Sequence, residues 1–382
     1  MNEMDKKWVQ EVIGKIQKKM DWVSDKNHMK VPYTTDATGS YDDRADDKVD
    51  WSIDNGINFW TNGFWGGIMW LMYQNTGDEK YKTYARENEE QLRKCFEIYY
   101  GLHHDVGFMY MPSAVADYRL TKSEEARRDG MHAANLLAGR FNPIGNFIRA
   151  WNTNKQDTRG WAIIDCMFNL SLLYWASEES EDPRFKHVAM LHADTVLKEF
   201  LREDGSVNHI VEFDPFKGGK VCSYGGQGYK DGSAWTRGQG WGLYGFMISY
   251  LHTGKEEYLN AAKKIANYCV ANMNEDGIIP LDFRQPEDCD LEDSCGACVI
   301  AGGLIELSKV VPEWDAKAYE RAAIKILKAI DQSRADWSEN CDAIVQKCTG
   351  SYQGNHHITM NYADYYFIEA IMKLNGEGIF MW

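Results

Sequence analysis

Two aspartates, two histidines and a series of tryptophans define the chemistry open to this chain. Asp165 is the lone carboxylate in Trp161-Ala-Ile-Ile-Asp165-Cys-Met-Phe-Asn169-Leu-Ser-Leu-Leu-Tyr174-Trp175, a segment that otherwise reads as an apolar, aromatic helix. A buried, unpartnered carboxylate shifts toward its neutral form or finds a dedicated donor. A carboxyl tuned in that direction suits a general acid, whereas the structural alternative is an Asp that caps a helix or bonds a core Trp. A second carboxylate, Asp105, follows His104 in His103-His104-Asp105-Val-Gly107-Phe108. Two carboxylates within reach of one substrate suggest hydrolysis, with one acid and one base or nucleophile, although sequence does not give their separation.

Around them lie aromatics with sparse polar groups: Trp60-Thr-Asn62-Gly63-Phe64-Trp65, Trp151, His209 and the loop Ser223-Tyr-Gly-Gly-Gln227-Gly-Tyr229. That loop leads to Trp235-Thr-Arg237-Gly-Gln-Gly-Trp241. Flat aromatic faces stack on pyranose rings while amides, His and Arg take hydroxyls and carboxylates, so the set describes a saccharide pocket. Singly each is weak: Trp235 and Trp241 could be ordinary core, and His104 or His209 a structural histidine. Arg237 is stronger, because a cation among Trp and Gly needs a carboxylate, which an anionic ligand would supply in bidentate geometry.

The elements that must position these residues repeat. Met72-Tyr-Gln-Asn-Thr-Gly77-Asp-Glu-Lys-Tyr81 matches Ser249-Tyr-Leu-His-Thr-Gly254-Lys-Glu-Glu-Tyr258. Each follows an apolar, Gly-rich helix (59–73 and 235–251) and precedes an amphipathic one. The pairing recurs at 161–176 with 184–201 and at 296–311 with 316–330. A helix apolar all round is buried, and a one-striped helix lies outside it. Weaker segments at 6–22, 109–120, 123–139 and 358–374 bring the expected number to about twelve, with strands limited to short hairpins in loops. The Asp/Gly turns after the outer helices (103–108, 203–209, 275–282) should lie at one end. The expectation is an all-α chain, one (α/α)6 toroid over 1–382 with a pocket at that end.

Composition removes several function classes. A formal net charge of −15 argues against nucleic acid and means that an anionic ligand needs a local cationic pocket. No membrane span or signal peptide is visible. Nine scattered cysteines read as reduced thiols in a cytoplasmic protein, and Cys295-Gly-Ala-Cys298 lacks the second pair that a structural zinc site needs.

Taken together, Trp60, His104-Asp105-Val-Gly-Phe108, Trp151, Asp165, His209, Gln227 and Trp235-Thr-Arg237-Gly-Gln-Gly-Trp241 resemble the unsaturated glucuronyl hydrolases of glycoside hydrolase family 88. The order and gaps agree from about Trp60 to Trp241, and the helical alternation agrees over nearly the whole chain. The resemblance implies hydration of the C4=C5 enol ether in a Δ4,5-unsaturated uronic acid, with Asp165 as acid and then base. It implies that Asp105 orients substrate and helps keep Asp165 protonated, and that His209 contacts sugar hydroxyls. Gln227, Arg237 and Trp241 would hold the uronate, and Trp60 and Trp151 would stack on rings. Neither metal nor organic cofactor is implied. The stretch 350–362, with Ser351 and Tyr352 near its start, falls where that family contacts the aglycone or a sulfate. Preferred sulfation, linkage and oligomeric state stay open. The competing readings are an unsaturated rhamnogalacturonyl hydrolase, a sugar epimerase on the same architecture, and a non-catalytic helical-repeat binder.

Overall fold

The computed structural model describes residues 1–45, 56–153, 156–376 and 381–382. Its helices form two concentric rings. The outer ring is α1 (Glu3–Asn27), α3 (Glu79–Arg93), α6 (Glu124–Ala138), α8 (Pro183–Glu199), α10 (Glu256–Ala271) and α12 (Glu313–Ser333). The inner ring is α2 (Gly63–Thr76), α4 (Val106–Tyr110) continued through a π turn into α5 (Ala116–Thr121), α7 (Cys166–Ser180), α9 (Thr236–Thr253), α11 (Ser294–Ser308) and α13 (Asn361–Leu374). Contacts run α2–α4–α7–α9–α11–α13 and back to α2, which closes the (α/α)6 barrel.

The division follows from the side chains. Every residue of α2 from Gly63 to Met72 is buried, whereas α3 buries only Tyr81, Ala85, Asn88, Glu89 and Leu92, a single stripe at helical spacing. Four outer helices are capped by the side chains of Asn2, Asp78, Ser123 and Asp182. The inner helices have no such cap, although the buried Asp293 carboxylate sits at the head of α11, so the positive dipole ends of the others stay open toward the barrel mouth.

Three expectations need correction. The segment from Trp161 is not helical throughout: Trp161–Ile163 is a strand, β3, and α7 begins at Cys166. Aromatic and β-branched residues there pair with β4 (Ile210–Phe213), which in turn pairs with β5 (Lys220–Tyr224) in an antiparallel sheet. Asp165 therefore sits at the N-cap of α7 instead of inside an apolar wall. The inner helix expected over 109–120 breaks at Pro112, whose missing N–H is accommodated by the π turn Met111–Val115. The helix expected from Phe59 starts at Gly63, leaving Trp60 ahead of it. A small hairpin, β1 (Phe141–Asn142) with β2 (Phe147–Ile148), precedes the Trp151 loop.

Inside the inner ring, beneath the first turns of α4 and α7, the ring system of Trp382 is fully buried. It meets Phe168 edge-on at 4.5 Å and Phe108 at 6.3 Å, and its indole N–H donates to Glu369 at 2.8 Å. None of the nine cysteines forms a disulfide, and Cys295 and Cys298 are buried in α11. Among the described residues no helix is long and apolar enough to cross a membrane.

Candidate active site

The inner-helix N-termini meet at one end of the barrel. Asn169 ties α4 to α7, His209 lies between Asp165 and Trp235 at the heads of α7 and α9, and Arg237 joins α9 to Asp293 at the head of α11. Trp60, ahead of α2, packs on Phe108 of α4 at 5.3 Å and on Tyr362 of α13 at 4.8 Å. The uncapped N-terminal ends of neighbouring inner helices favour negative charge at this end despite the protein's overall negative charge.

The Asp165 side chain keeps 15% of its surface open, and its Oδ1 is 3.6 Å from His209 Nε2. His209 Nδ1 accepts the Gln227 backbone N–H at 3.0 Å and lies 3.3 Å from Gly225 O, which leaves Nε2 facing Asp165. Gly226 allows this approach: it has φ +58°, and a Cβ there would lie 2.0 Å from His209 Nδ1. Sheet pairing sets the opposite register, because Ile164 N–H donates to His209 O at 3.0 Å immediately before Asp165. Trp235 covers the other face of the imidazole at 4.3 Å.

Asp105 is more deeply set. Its Oδ2 is 3.3 Å from His104 Nε2 and 3.4 Å from His103 Nδ1, and its Oδ1 accepts the Asn169 amide at 3.1 Å. Burial pushes this carboxyl up, but His104, His103 and Asn169 outweigh it and hold Asp105 below the usual carboxylate range. Asn169 also donates to Asp165 O at 3.2 Å and accepts from Phe108 N–H at 2.8 Å. One buried amide thus spans both carboxylate-bearing turns. Gly107 makes room for it, since a Cβ there would lie 2.5 Å from Asn169 Oδ1.

The ligand atoms of His103, His104 and Asp105 fall within 4.8 Å of one another, close enough for one divalent ion. The contacts present use the same closeness to stabilise the Asp105 charge. Among the described residues, His104 Nδ1, Asp165 Oδ1, His209 Nε2 and Trp235 Nε1 are buried with no hydrogen-bond partner in the protein. Buried polar atoms ordinarily find partners, and a polyhydroxylated ligand would supply them.

The remaining sequence candidates divide. Trp60 and Trp151 are half-buried at this end. The Trp151 loop is clamped by Arg140, which donates to Arg149 O, Ala150 O and Asn152 Oδ1. Arg237 is corrected: its carboxylate is Asp293 at 2.6 Å, both side chains are almost completely buried, and its other donors reach Thr349 O and Gly350 O. Burial opposes the guanidinium charge, yet Asp293 more than offsets it. Trp241 is enclosed between Phe108 at 4.9 Å and Phe168 at 5.2 Å under the carboxylates, with its indole N–H, like that of Trp235, buried without a partner among the described residues. Gln227 uses its side-chain amide on Gly350 O at 2.7 Å and its carbonyl on Tyr352 N–H at 2.9 Å. Ser351 turns onto Gly354, and the Tyr352 ring packs on Tyr229 at 4.9 Å. Arg237 and Gln227, with the Ser351 turn and the Tyr352 ring, fasten the 350–354 loop over the α9 head. Sequence reading missed the roles of Asn169, His103 and Asp293. Asn169 could have been found, because it lies four residues after Asp165 and so on the same helix face.

No protein-family model matches the chain. It is 35% identical to the unsaturated glucuronyl hydrolase of Bacillus sp. (strain GL1), over 82% of this chain and 86% of that protein. It is 32% identical to the unsaturated chondroitin disaccharide hydrolase of Streptococcus pyogenes serotype M1, over 82% and 80%. The crystal structure of the Bacillus sp. GL1 enzyme, described as responsible for glycosaminoglycan degradation, superposes with a TM-score of 0.89 over 96% of both chains at 31% identity. With the barrel, the paired aspartates and this extent of likeness in view, the chain belongs to the unsaturated glucuronyl hydrolases.

Proposed function

We propose that the protein removes the Δ4,5-unsaturated uronic acid from the non-reducing end of lyase-generated glycosaminoglycan oligosaccharides. Residues 1–382 act as one catalytic domain. The observation that carries this reading is the partly open Asp165 carboxyl, 3.6 Å from His209 Nε2 and joined to buried, anionic Asp105 through Asn169.

Asp165 gives its proton to C4 of the C4=C5 enol ether, and positive charge develops across C5 and O5. The resulting carboxylate then takes a proton from the water that adds at C5. The hemiketal opens to a C5 ketone, and the hemiacetal left at C1 releases the aglycone alcohol. One water is consumed and no redox step occurs. Asp105, held ionised by its histidines, accepts a substrate hydroxyl and adds negative potential beside the cationic transition state. It also disfavours loss of the Asp165 proton before substrate binds. His209 Nε2 contacts a hydroxyl near C4. The inner-helix dipoles hold the uronate carboxylate, with Trp60 and Trp151 against the ring faces. Arg237 and Trp241 support this arrangement from below. Nine cysteines without a disulfide support a reducing, cytoplasmic setting.

The test follows ultraviolet absorbance of the conjugated double bond with a panel of unsaturated disaccharides, comparing wild type with Asp165→Asn and Asp105→Asn. Wild type should bleach glucuronyl substrates of glycosaminoglycan origin, and Asp165→Asn should not. Bleaching only of galacturonyl-rhamnose substrates would replace this reading with the pectin-directed one. Unchanged absorbance with all of them would overturn the hydration mechanism in favour of an epimerase or a binder.

A further inference from the structure

A second, smaller hydrophobic cluster stands apart from the barrel core. Ala150, Trp161, Ile163 and Ile210 are buried together, and Trp151 and Tyr224 pack against them half-exposed. Strand register explains the grouping. Ile163 pairs with Ile210, which pairs with Tyr224, while Trp161 pairs with Glu212 and Glu212 with Cys222, so all six share one face of the β3–β4–β5 sheet. The opposite face turns Ala162 and Val211 into the main core.

This face begins at the reaction centre. β3 runs into Asp165 two residues after Ile163, and β4 starts immediately after His209. The rings are contiguous: Trp161 lies 6.0 Å from Trp151 at 53°, and Tyr224 lies 5.2 Å from Trp161 at 35°. Trp161 is only 8% exposed and acts as backing, whereas Trp151 and Tyr224 are half-buried. The outer ring is fixed before any ligand arrives, because the Tyr224 hydroxyl donates to the Glu212 carboxylate, which also receives the Cys222 thiol at 3.5 Å. Immobilised aromatic faces in a row, one end at the scissile sugar, match successive pyranose rings and cost little ordering on binding.

We propose that Tyr224, backed by Trp161 and anchored by Glu212, extends the wall begun by Trp151 into a subsite for sugars beyond the disaccharide. Its ligand is the next pyranose of a longer unsaturated oligosaccharide, on the leaving-group side. This rests on the hydrolase reading above and adds to it a preference for chain length.

The experiment measures kcat/KM for an unsaturated disaccharide and for the tetrasaccharide of the same repeat in wild type, Tyr224→Ala, Tyr224→Phe and Glu212→Gln. Trp314→Ala, which removes a 74% exposed aromatic on α12, is the control. The tetrasaccharide-to-disaccharide ratio should fall about tenfold in Tyr224→Ala, as expected for one lost ring contact, and the change should lie in KM. Tyr224→Phe, which keeps the ring but not its anchor, and Glu212→Gln should fall between, and Trp314→Ala should match wild type. An unchanged ratio in Tyr224→Ala, with disaccharide turnover intact in wild type, would overturn the subsite alone. Failure of wild type to turn over every unsaturated substrate would instead overturn the hydrolase reading and the subsite with it.

Discussion

Replacing Asn169 by Ala should disable the site without touching either carboxylate. The Asn169 amide makes three short contacts: to Asp105 Oδ1 at 3.1 Å, to Asp165 O at 3.2 Å and from Phe108 N–H at 2.8 Å. Loss of a hydrogen bond to an ionised group removes about 1.5–3 kcal/mol, and a buried N–H left unpaired costs about 1–3 kcal/mol. With part of each recovered by relaxation, the unfolding free energy should drop by roughly 3–4 kcal/mol, read from urea denaturation. Both carboxylate-bearing turns would lose their common tie, and a displacement of about 1 Å in a catalytic group costs about 10²-fold in rate. Asn169→Asp separates charge from shape. It keeps the acceptor for Phe108 but sets a carboxylate against Asp105, and two such groups cannot both stay ionised. The stability deficit of Asn169→Asp should therefore shrink as pH falls from 8 to 5, while that of Asn169→Ala shows no such trend. An Asn169→Ala enzyme with kcat within threefold of wild type and an unshifted denaturation midpoint would refute the bridging role.

Other outcomes follow from the same geometry. Asp293→Ala should destabilise the fold by about 3–5 kcal/mol, because it strands the buried Arg237 charge. Limited proteolysis would then show early cleavage in 350–354, the loop Arg237 fastens; equal protection of that loop in both proteins would count against its scaffolding role. Buried His192 accepts the Ile148 N–H through Nδ1 at 3.0 Å, and burial lowers its pKa to about 3. Below pH 6.5 the unfolded chain binds a proton that the folded one refuses, so this contribution is complete above pH 6.5 and declines as pH falls. About 2 kcal/mol should be lost by pH 5. His192→Asn, which keeps an acceptor, should flatten that slope in denaturation measured across pH 5–7. Trp382→Ala should open a cavity beneath Phe168 and cost about 3–5 kcal/mol. Added indole should restore part of the melting temperature and of kcat, and no rescue by indole would argue against the Trp382 ring acting as the floor of the site.

The alternation of all-apolar and one-striped helices, and with it the closed double ring, was legible along the chain because burial imposes its own periodicity. Asp165, Asp105, His209 and the mouth tryptophans were legible as well, since polar groups among aromatics stand out without coordinates. What only the tertiary structure decided was who faces whom. Arg237 needed a carboxylate, and nothing in one dimension distinguishes a substrate's from that of Asp293, fifty-six positions away. Trp161 reads equally well as helix or strand until β4 arrives to pair with it, and that pairing moves Asp165 from a sealed wall to an open N-cap. Asn169 stood four residues from Asp165 in plain view, but its partner Asp105 lies sixty-four residues away. Periodicity is a local property of a chain, whereas electrostatic pairing and the register of a sheet are properties of segments that meet only after folding.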